Sequence, residues 1–395
     1  MRFRLEREDR KRLTAFLRDL VRIPSPSTQE KAVAERILEE MERLGLPPAR
    51  LDRIGNVVGL IGGGKGPTLM LNGHMDTVGV SDTQAWTRDP FEGEVEKGRL
   101  YGLGACDMKG GIAAMVYGAY LLHRAGLPAH GRVVVACVVQ EEPCEGLASR
   151  VLIEEEGIRP DWVLVTEPSN LQVMRGQRGR IELQVTLHGR SAHASRPDLG
   201  ENTIHAAARL IFGLELLAGQ LAEDPFLGRG TLTVTEIRSR ASSRNAVPDR
   251  CDLIIDRRLT LGETETKALA EVQHVIAREG VRAEVRVTEY NATSYTGYAC
   301  RAREYYPPWV IEEDHPLVWA LKEAVKDQTG RRPRVGYWHF STEGTYTAGV
   351  AGIPTVGFGP GDPDLAHAPD EWVAVDDVCT AAEVYARLAA ALLTA

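Results

Sequence analysis

The apolar positions near the start of the chain repeat with the spacing of two amphipathic helices. The first repeat covers residues 13–21 and stops at Pro24, which cannot continue a helix. The second covers residues 33–44, and Ser27 and Glu30 ahead of it have the spacing of a capping box. We therefore expect two helices before the first strand.

Short apolar runs then alternate with a segment of helical spacing. The runs cover residues 68–72, 132–139, 162–166 and 353–358 and have the length and composition of buried strands. Residues 110–124 have the spacing of a helix. Because strands buried on both faces are almost continuously apolar, the pattern predicts an α/β fold with a mostly parallel sheet and helices on both faces.

The pattern changes between residues 180 and 298, where apolar and polar positions alternate along the strands. The predicted order is strand 180–187, helix 202–217, strand 230–237, strand 250–259, helix 263–278 and strand 281–288. This β-α-β-β-α-β order is that of a ferredoxin-like unit, which can fold by itself. We therefore predict a domain at residues 180–298, inserted into a larger domain made of residues 1–179 and 299–395.

Composition and charge narrow the class of protein. The 395 residues are 43% hydrophobic and 26% charged, as in ordinary globular proteins, and the length favours two domains. A formal net charge of −8 argues against nucleic acid and anionic membranes as partners. We expect neither an export signal nor a transmembrane helix, because the first residues are charged and no apolar run is long enough. The cysteines lack any C-x-x-C pair and are expected to be reduced, so we predict a cytoplasmic protein.

Histidine and acidic residues follow the apolar strands of the larger domain. In an open parallel sheet, ligands bind beyond the carboxyl ends of the strands. A single His-x-Asp or Glu-Glu pair usually belongs to a solvated loop, but here several such groups converge, and converging carboxylates repel one another without a cation. The residues are His74, Asp76, Asp107, Glu141, Glu142, Glu167 and His367.

This set of side chains favours a metal-dependent hydrolase. Imidazole and carboxylate ligands without cysteine suit Zn²⁺, with Co²⁺ or Mn²⁺ as alternatives, better than Ca²⁺ or Mg²⁺. A single catalytic zinc ion needs only three protein ligands, so we expect two divalent ions that share one carboxylate. Such a pair lowers the pKa of a shared water, whose hydroxide then attacks an amide carbonyl.

The same residues stand in motifs that resemble those of the M20 metallopeptidases. This family includes acetylornithine deacetylase, succinyl-diaminopimelate desuccinylase, glutamate carboxypeptidases and aminoacylases, and the likeness spans nearly the whole chain. The motifs are Gly-His-Met-Asp-Thr-Val at 73–78, Gly-Ala-Cys-Asp-Met-Lys-Gly-Gly at 104–111, Glu-Glu-Pro at 141–143, Thr-Glu-Pro at 166–168 and His-Ala-Pro-Asp-Glu at 367–371.

The resemblance implies which residue holds which metal ion. Asp107 would bridge the two ions. Glu142 and His367 would hold one of them, and His74 and Glu167 the other.

Two further residues are expected to act beside the metal ions. By the same resemblance, Glu141 takes the proton from the bridging water as the general base. Asp76 is expected to accept the second N–H of His74 and so to fix the orientation of its ring.

The inserted segment resembles the lid and dimerisation domain of the family. His193 resembles the histidine that stabilises the oxyanion, which in dimeric members reaches across from the partner subunit, so the resemblance implies a homodimer formed through the lids. Asn245 and Arg258 match lid residues that contact substrate, and Arg258 suits a bidentate grip on a free carboxylate. From the residues alone, His193 is equally a surface histidine and Arg258 an exposed strand residue.

The identity of residue 167 bears on the substrate. Glu167 resembles the deacylase and carboxypeptidase branches, whereas Asp is usual among aminopeptidases and dipeptidases. We therefore expect a small-molecule substrate, either an N-acyl amino acid or a short peptide. The segments 175–179 and 340–344 resemble a branch sometimes linked to selenium metabolism, and residues 337–344 differ from the Gly-Thr-Asp-type substrate loop that is more usual.

Two alternatives remain from the sequence. One is a di- or tripeptidase, or an aminopeptidase, on the same scaffold. The other is a metal-dependent binding protein without turnover. A binding protein of this kind would be expected to lose Glu141 before the metal ligands, and this chain retains both.

Overall fold

The computed structural model describes residues 2–63, 65–80 and 82–393 and contains every helix predicted from the periodicity. The α-helices are α1 (Arg7–Arg22), α2 (Lys31–Arg43), α3 (Gly110–Arg124), α4 (Leu147–Arg150), α5 (Thr203–Ala218), α6 (Glu265–Arg278), α7 (Pro316–Thr329), α8 (Gly344–Thr347) and α9 (Val375–Leu393). Shorter helical turns cover Ala105–Lys109, Val151–Glu155, Pro197–Leu199 and Pro363–Leu365.

The predicted strands are also present, together with short ones that the sequence pattern did not reveal. In chain order, the β-strands are β1 (Arg50–Leu51), β2 (Val57–Gly62), β3 (Thr68–His74), β4 (Val95–Glu96), β5 (Arg99–Tyr101), β6 (Arg132–Val138), β7 (Trp162–Val165), β8 (Val173–Gln177), β9 (Gly179–His188), β10 (Glu223–Asp224), β11 (Gly228–Arg229), β12 (Thr231–Arg240), β13 (Arg250–Leu259), β14 (Ala283–Val287), β15 (Glu289–Thr293), β16 (Ala299–Arg303), β17 (Tyr305–Tyr306), β18 (Trp309–Val310), β19 (Val335–Trp338), β20 (Thr355–Gly357) and β21 (Trp372–Ala374).

The larger sheet has the order β1-β2-β6-β3-β7-β20-β8-β18, and β19 pairs with β8. Its centre, β6-β3-β7-β20, is parallel. Strand β3 is buried along its whole length, which requires that both faces of the sheet are covered. The prediction of a mostly parallel α/β sheet is confirmed.

The second sheet has the order β12-β13-β9-β14, and all of these pairs are antiparallel. Burial alternates along β9 and β13, so only one face of this sheet is covered. Residues such as Leu183 and Ile255 there pack with Leu214 of α5 and Val272 of α6 in a core separate from the larger one. The predicted second, ferredoxin-like β-α-β-β-α-β unit is therefore also present.

A hairpin that the sequence pattern did not reveal lies at the end of this unit. Strands β15 and β16 pair with each other, and Tyr290 of β15 and Tyr295 of the turn pack against the larger core. Position 298, the predicted domain boundary, falls in the turn of this hairpin. Strand β17 then pairs back with β9. The boundaries 1–179, 180–298 and 299–395 stay predictions.

The predicted capping box before α2 is wrong. The Ser27 hydroxyl donates to Asp76 Oδ2 at 2.7 Å instead of capping the helix. Glu30 Oε1 accepts from the backbone N–H groups of Thr28, at 2.9 Å, and Gln140, at 3.1 Å. Asp76 and Gln140, which follow strands β3 and β6, have replaced the partners of a helix cap, because Ser27 is half-buried and Glu30 is buried beside them.

Strand β20 packs closely against Trp338, which in turn contacts the loop after β7. A Cβ atom on Gly357 would lie 1.9 Å from Cη2 of Trp338, so only glycine leaves room for the ring. The Trp338 Nε1–H donates to the carbonyl oxygen of Pro168 at 2.8 Å, directly after Glu167. This contact holds the end of β7 in place.

None of the helices in the described ranges combines the length and the apolar character that crossing a bilayer requires.

Candidate metal centre

The histidine and acidic residues predicted from the strand ends meet at one edge of the larger sheet. His74 is the last residue of β3, and Glu167 follows β7 by two positions. Glu141 and Glu142 lie just beyond β6. His367 lies in the loop after β20. The parallel order β6-β3-β7-β20 brings these ends together, because parallel strands carry their carboxyl ends to the same edge.

Asp107 lies between the two histidines. Its Oδ1 is 3.0 Å from Nε2 of His74, and its Oδ2 is 3.4 Å from Nε2 of His367. Each histidine has a further acid beside it: Glu167 Oε1 lies 3.6 Å from His74 Nε2, and Glu142 Oε2 lies 3.0 Å from His367 Nε2. One carboxylate therefore faces two separate histidine-acid pairs.

The same side chains form groups with the spacing of metal ligands. One potential ligand atom each from His74, Glu141 and Glu167 lies within 4.8 Å of the others, and the same holds for His74, Asp107 and Glu142. Donors this close converge on a volume that a single cation fills.

Asp76 occupies the expected position but makes a different contact. The His74 Nδ1 atom lies 2.9 Å from the backbone carbonyl oxygen of Asp76, whereas the carboxylate Oδ1 is 3.7 Å away. The carboxylate instead accepts the backbone N–H groups of Glu141, at 3.1 Å, and Glu142, at 3.2 Å. We expected the carboxylate to orient His74, and the structure assigns this contact to the main chain.

Glu371 holds the turn that carries Asp107, a role that we did not predict. Its buried carboxylate accepts the backbone N–H groups of Gly104 at 3.0 Å, Cys106 at 2.7 Å and Asp107 at 2.9 Å. Burial raises its pKa to about 8. The only sequence signal was its place in the motif at 367–371, because a carboxylate that binds main-chain N–H groups has no pattern of its own.

Burial and mutual repulsion shift the ionisation of the cluster. Burial, with repulsion from neighbouring acids, raises the pKa of Glu141 and of Glu167 well above the usual value. Hydrogen bonds to Asp107 and Glu142 raise the pKa of His367 to about 10. For Asp107, burial acts to raise the pKa, but the two histidines outweigh it and hold the pKa below its usual range. The raised pKa values mean that these side chains bind protons more tightly than isolated ones do, and a cation in the cluster would balance the charge instead.

The cluster opens into a cavity of about 220 Å³. Besides metal-ligand candidates and Glu141, it is lined by Glu145, Arg180, Arg258, Phe340, Ser341 and Ala366. Of the predicted substrate-binding residues, Arg258 therefore reaches the cavity. Glu145 and Arg180 were not predicted, because neither belongs to a recognisable motif.

His193 and Asn245 lie elsewhere, on exposed loops of the smaller sheet. Neither lines the cavity of its own chain. The two loops are joined, since the backbone N–H of Ala194 donates to the carbonyl oxygen of Asn245 at 2.8 Å. The side chain of His193 contacts Ser195, with 2.7 Å between Nδ1 and Oγ.

The unusual segment 337–344 contributes both to the cavity and to its support. Phe340 and Ser341 line the cavity. The buried Glu343 accepts the backbone N–H groups of Gly146 at 2.8 Å and Ser149 at 3.1 Å, which joins the segment to the start of α4. His339 contacts Tyr337 and does not line the cavity.

Comparison with known proteins identifies the family of this chain. The model of peptidase family M20/M25/M40 matches residues 70–391. The uncharacterized protein YgeY from Escherichia coli (strain K12) is 43% identical over 377 residues, which cover 95% of this chain and 93% of that protein. Succinyl-diaminopimelate desuccinylase 2 from Ruegeria sp. (strain TM1040) is 29% identical and covers 94% of this chain and 92% of its own length.

A solved structure shares the fold. The M20 family metallo-carboxypeptidase Sso-CP2 from Sulfolobus solfataricus superposes with a TM-score of 0.77 at 21% identity, covering 98% of this chain and 99% of that one. The resemblance drawn from the sequence motifs is confirmed: the chain belongs to peptidase family M20/M25/M40 and is a metal-dependent hydrolase.

Proposed function

We propose that this protein hydrolyses the amide bond of a small substrate, either an N-acyl amino acid or the carboxy-terminal residue of a short peptide, with two divalent metal ions and Glu141 as general base. The observation that carries the proposal is the position of Asp107, whose two carboxylate oxygens face different histidines, each with its own acidic neighbour. This arrangement supports two metal ions that share one ligand.

The donor set fits such a pair. His74 and Glu167 would hold one ion, His367 and Glu142 the other, and Asp107 both. Nitrogen and oxygen donors without sulfur suit Zn²⁺, and Co²⁺ or Mn²⁺ would also fit. When bound, the two ions would lower the pKa of a water between them and polarise the amide carbonyl.

Glu141 is suited to proton transfer. Its Oε2 lies 3.9 Å from His74 Nε2, beside the ligand cluster, and its side chain is buried. The Asp76 carboxylate accepts its backbone N–H and so holds it in place. As general base, Glu141 takes the proton of the attacking water and delivers it to the leaving amine.

Substrate selection rests on the cavity residues that are not metal-ligand candidates. Arg258 lines the cavity and presents a guanidinium for a free carboxylate. The name of one similar protein, a desuccinylase, and the presence of Glu at position 167 favour deacylation or carboxypeptidase-type cleavage over aminopeptidase action. The cysteines are free and buried, which supports a reducing compartment such as the cytoplasm.

We also propose a homodimer formed through the smaller sheet. Helix α5 exposes Phe212 and Leu216, which are 69% and 61% exposed, and β12 is an edge strand that exposes Ile237. Exposed apolar side chains next to an unpaired strand edge are typical of an interface. Because His193 and Asn245 do not line the cavity of their own chain, in the dimer they would serve the partner's cavity.

The general base can be tested with Glu141→Ala. We expect this protein to keep its metal ions and to lose about 10²-fold or more in kcat, since the water would lack a proton acceptor. Turnover and metal content are measured together. The matched control, Glu142→Ala, should lose metal as well as activity. Near-normal turnover by Glu141→Ala would remove Glu141 from the mechanism.

The substrate class can be tested by comparing N-acetyl amino acids with free dipeptides, with Zn²⁺, Co²⁺ or Mn²⁺ added. We expect higher kcat/KM for the N-acetyl compounds, because Glu at position 167 resembles the deacylase branches of the family and not its aminopeptidases and dipeptidases. A preference for substrates with a free α-amino group next to the scissile bond would favour the peptidase alternative.

Once the metal ions are removed, the thermal stability of the protein should depend on pH through the titration of the cluster. Burial raises the pKa of Glu141, Glu142 and Glu167 above that of the unfolded chain, and hydrogen bonds raise that of His367 from 6.5 to about 10. A group whose pKa is raised in the folded state, whether a carboxyl group or His367, stabilises the fold at low pH. This contribution is lost as the pH rises through the folded-state pKa. Asp107, with a lowered pKa, loses its contribution only at more acidic pH.

We therefore expect chelation to lower the Tm more at pH ~8 than at pH ~5, by at least about 4 °C. Thermal unfolding with and without metal at each pH measures the difference, and the metal-loaded protein corrects for all other titrating groups. An equal effect of the chelator at both pH values would contradict metal binding by these carboxylates.

The dimer can be tested by mixing two inactive variants, His193→Ala and Glu141→Ala. If His193 acts in the partner's cavity, a mixed dimer has one complete site, and random reassociation should restore about a quarter of wild-type activity. If His193 acts within its own chain, the mixture stays inactive. A fully active monomer, detected by sedimentation, would also overturn the proposal.

A further inference from the structure

The loop that carries the proposed base begins where strand β6 leaves the larger sheet. The backbone N–H groups of residues 139–142 therefore need acceptors outside the sheet. Side-chain oxygens from distant parts of the chain supply them, at 3.0 to 3.2 Å, and belong to Glu30, Asn56 and Asp76. The main chain of this loop is thus held by groups that lie outside it.

Gln140 has an unusual backbone conformation directly before Glu141. Its φ is 55°, in the left-handed region that residues other than glycine seldom adopt. Such a conformation persists only where the surrounding groups hold it, and it is common beside active sites. Because the dihedral angles of one residue set the direction of the next, the conformation of Gln140 determines where Glu141 points.

The side chain of Gln140 is bound by a residue that lies 150 positions further along the chain. The hydroxyl of Tyr290, on β15, donates to Oε1 of Gln140 at 2.8 Å. Gln140 is fully buried, and Tyr290 packs against the larger core. Neither residue lines the cavity beside the metal-ligand candidates. Tyr290 therefore contacts the loop and not a substrate in the cavity.

The hairpin that carries Tyr290 is itself bound to two other segments. In its turn, the hydroxyls of Tyr295 and Tyr298 each donate at 2.6 Å, the first to the carbonyl oxygen of Gly55 and the second to Oε1 of Glu155. These bonds fix the hairpin against the larger core. Tyr290 is thus a stationary support for the loop after β6.

We propose that Tyr290 is a positioning residue for the general base: its hydroxyl holds Gln140 in the left-handed conformation that directs Glu141 toward the metal-ligand candidates. This inference rests on the proposed role of Glu141 in amide hydrolysis and adds to it the contact that sets the direction of the base.

Loss of the Tyr290 hydroxyl would leave Oε1 of Gln140 buried without this donor, which is unfavourable. The loop would relax toward the conformations that glutamine prefers, and Glu141 would move with it. A general base must lie within hydrogen-bond reach of the proton that it removes, so a small displacement lowers kcat. Metal binding should persist, because Asp76 and Glu371 still hold the turns of the ligand candidates.

The first test uses Tyr290→Phe, which removes the hydroxyl and keeps the ring. With the N-acetyl amino acid that the wild type hydrolyses fastest, we expect kcat to fall by about tenfold, because the base is displaced from the water. KM should stay within about twofold of the wild-type value, since Tyr290 does not touch the substrate. The metal content of the same preparation should be unchanged.

Tyr298→Phe is the matched control. It loses a tyrosine hydroxyl from the same hairpin, but this hydroxyl is bound to Glu155 and not to the loop after β6. The variant should keep the wild-type kcat. Circular dichroism and the Tm check that both variants are folded to the same extent.

A double-mutant cycle tests whether Tyr290 acts through the base. In the Glu141→Ala background, where no base remains to be positioned, Tyr290→Phe should change the residual kcat by less than about twofold. Gln140→Leu, which removes the acceptor and keeps the approximate size of the side chain, should reproduce the loss of kcat seen in Tyr290→Phe. The two changes together should add little to that loss.

Four results would overturn the inference. They are a wild-type kcat in Tyr290→Phe or Gln140→Leu, a loss of metal in place of a loss of kcat, an equal loss of kcat in Tyr298→Phe, and an undiminished effect of Tyr290→Phe in the Glu141→Ala background. The third would mean that the hairpin only supports the fold. Absence of wild-type turnover with N-acetyl amino acids and with dipeptides would instead overturn the proposed amide hydrolysis, and this inference with it.

Discussion

Repulsion among converging carboxylates is the constraint on which the rest of the structure depends. Asp107, Glu141, Glu142 and Glu167 meet at the edge of a parallel sheet, where burial disfavours their charged forms. Two histidines and the shifted pKa values offset the repulsion in part. Divalent cations bound to these side chains would offset the remaining repulsion. A cluster of buried carboxylates at this edge of the sheet is therefore expected only in a protein that binds such cations.

The precision of the cluster comes from main-chain contacts around it. The backbone carbonyl oxygen of Asp76 contacts His74, and the Asp76 carboxylate binds the N–H groups of the loop that carries Glu141 and Glu142. Glu371 does the same for the turn of Asp107. Asp76 and Glu371, which are not metal-ligand candidates, therefore hold the metal-ligand candidates in position. They can do so because an ionised carboxylate is a strong acceptor for main-chain N–H groups.

The two sheets supply different groups to the cavity. The larger sheet supplies the metal-ligand candidates, whereas Arg180 and Arg258 come from neighbouring strands of the smaller sheet. The contact between Arg180 and Glu145 joins the two at the cavity. A change in substrate preference can therefore arise in the smaller sheet without disturbing the metal cluster, because the groups concerned lie on different elements.

The sequence by itself determined five of the helices, the long strands of both sheets and the metal-ligand candidates, because periodicity and strand-end position are local properties. It did not reveal the bond from Ser27 to Asp76, the role of Glu371 or the pair of Glu145 and Arg180. Glu371 and Cys106, for example, are 265 residues apart in the chain. Only the tertiary structure decides such contacts, since a hydrogen bond depends on where two distant segments meet and leaves no periodic signal in either.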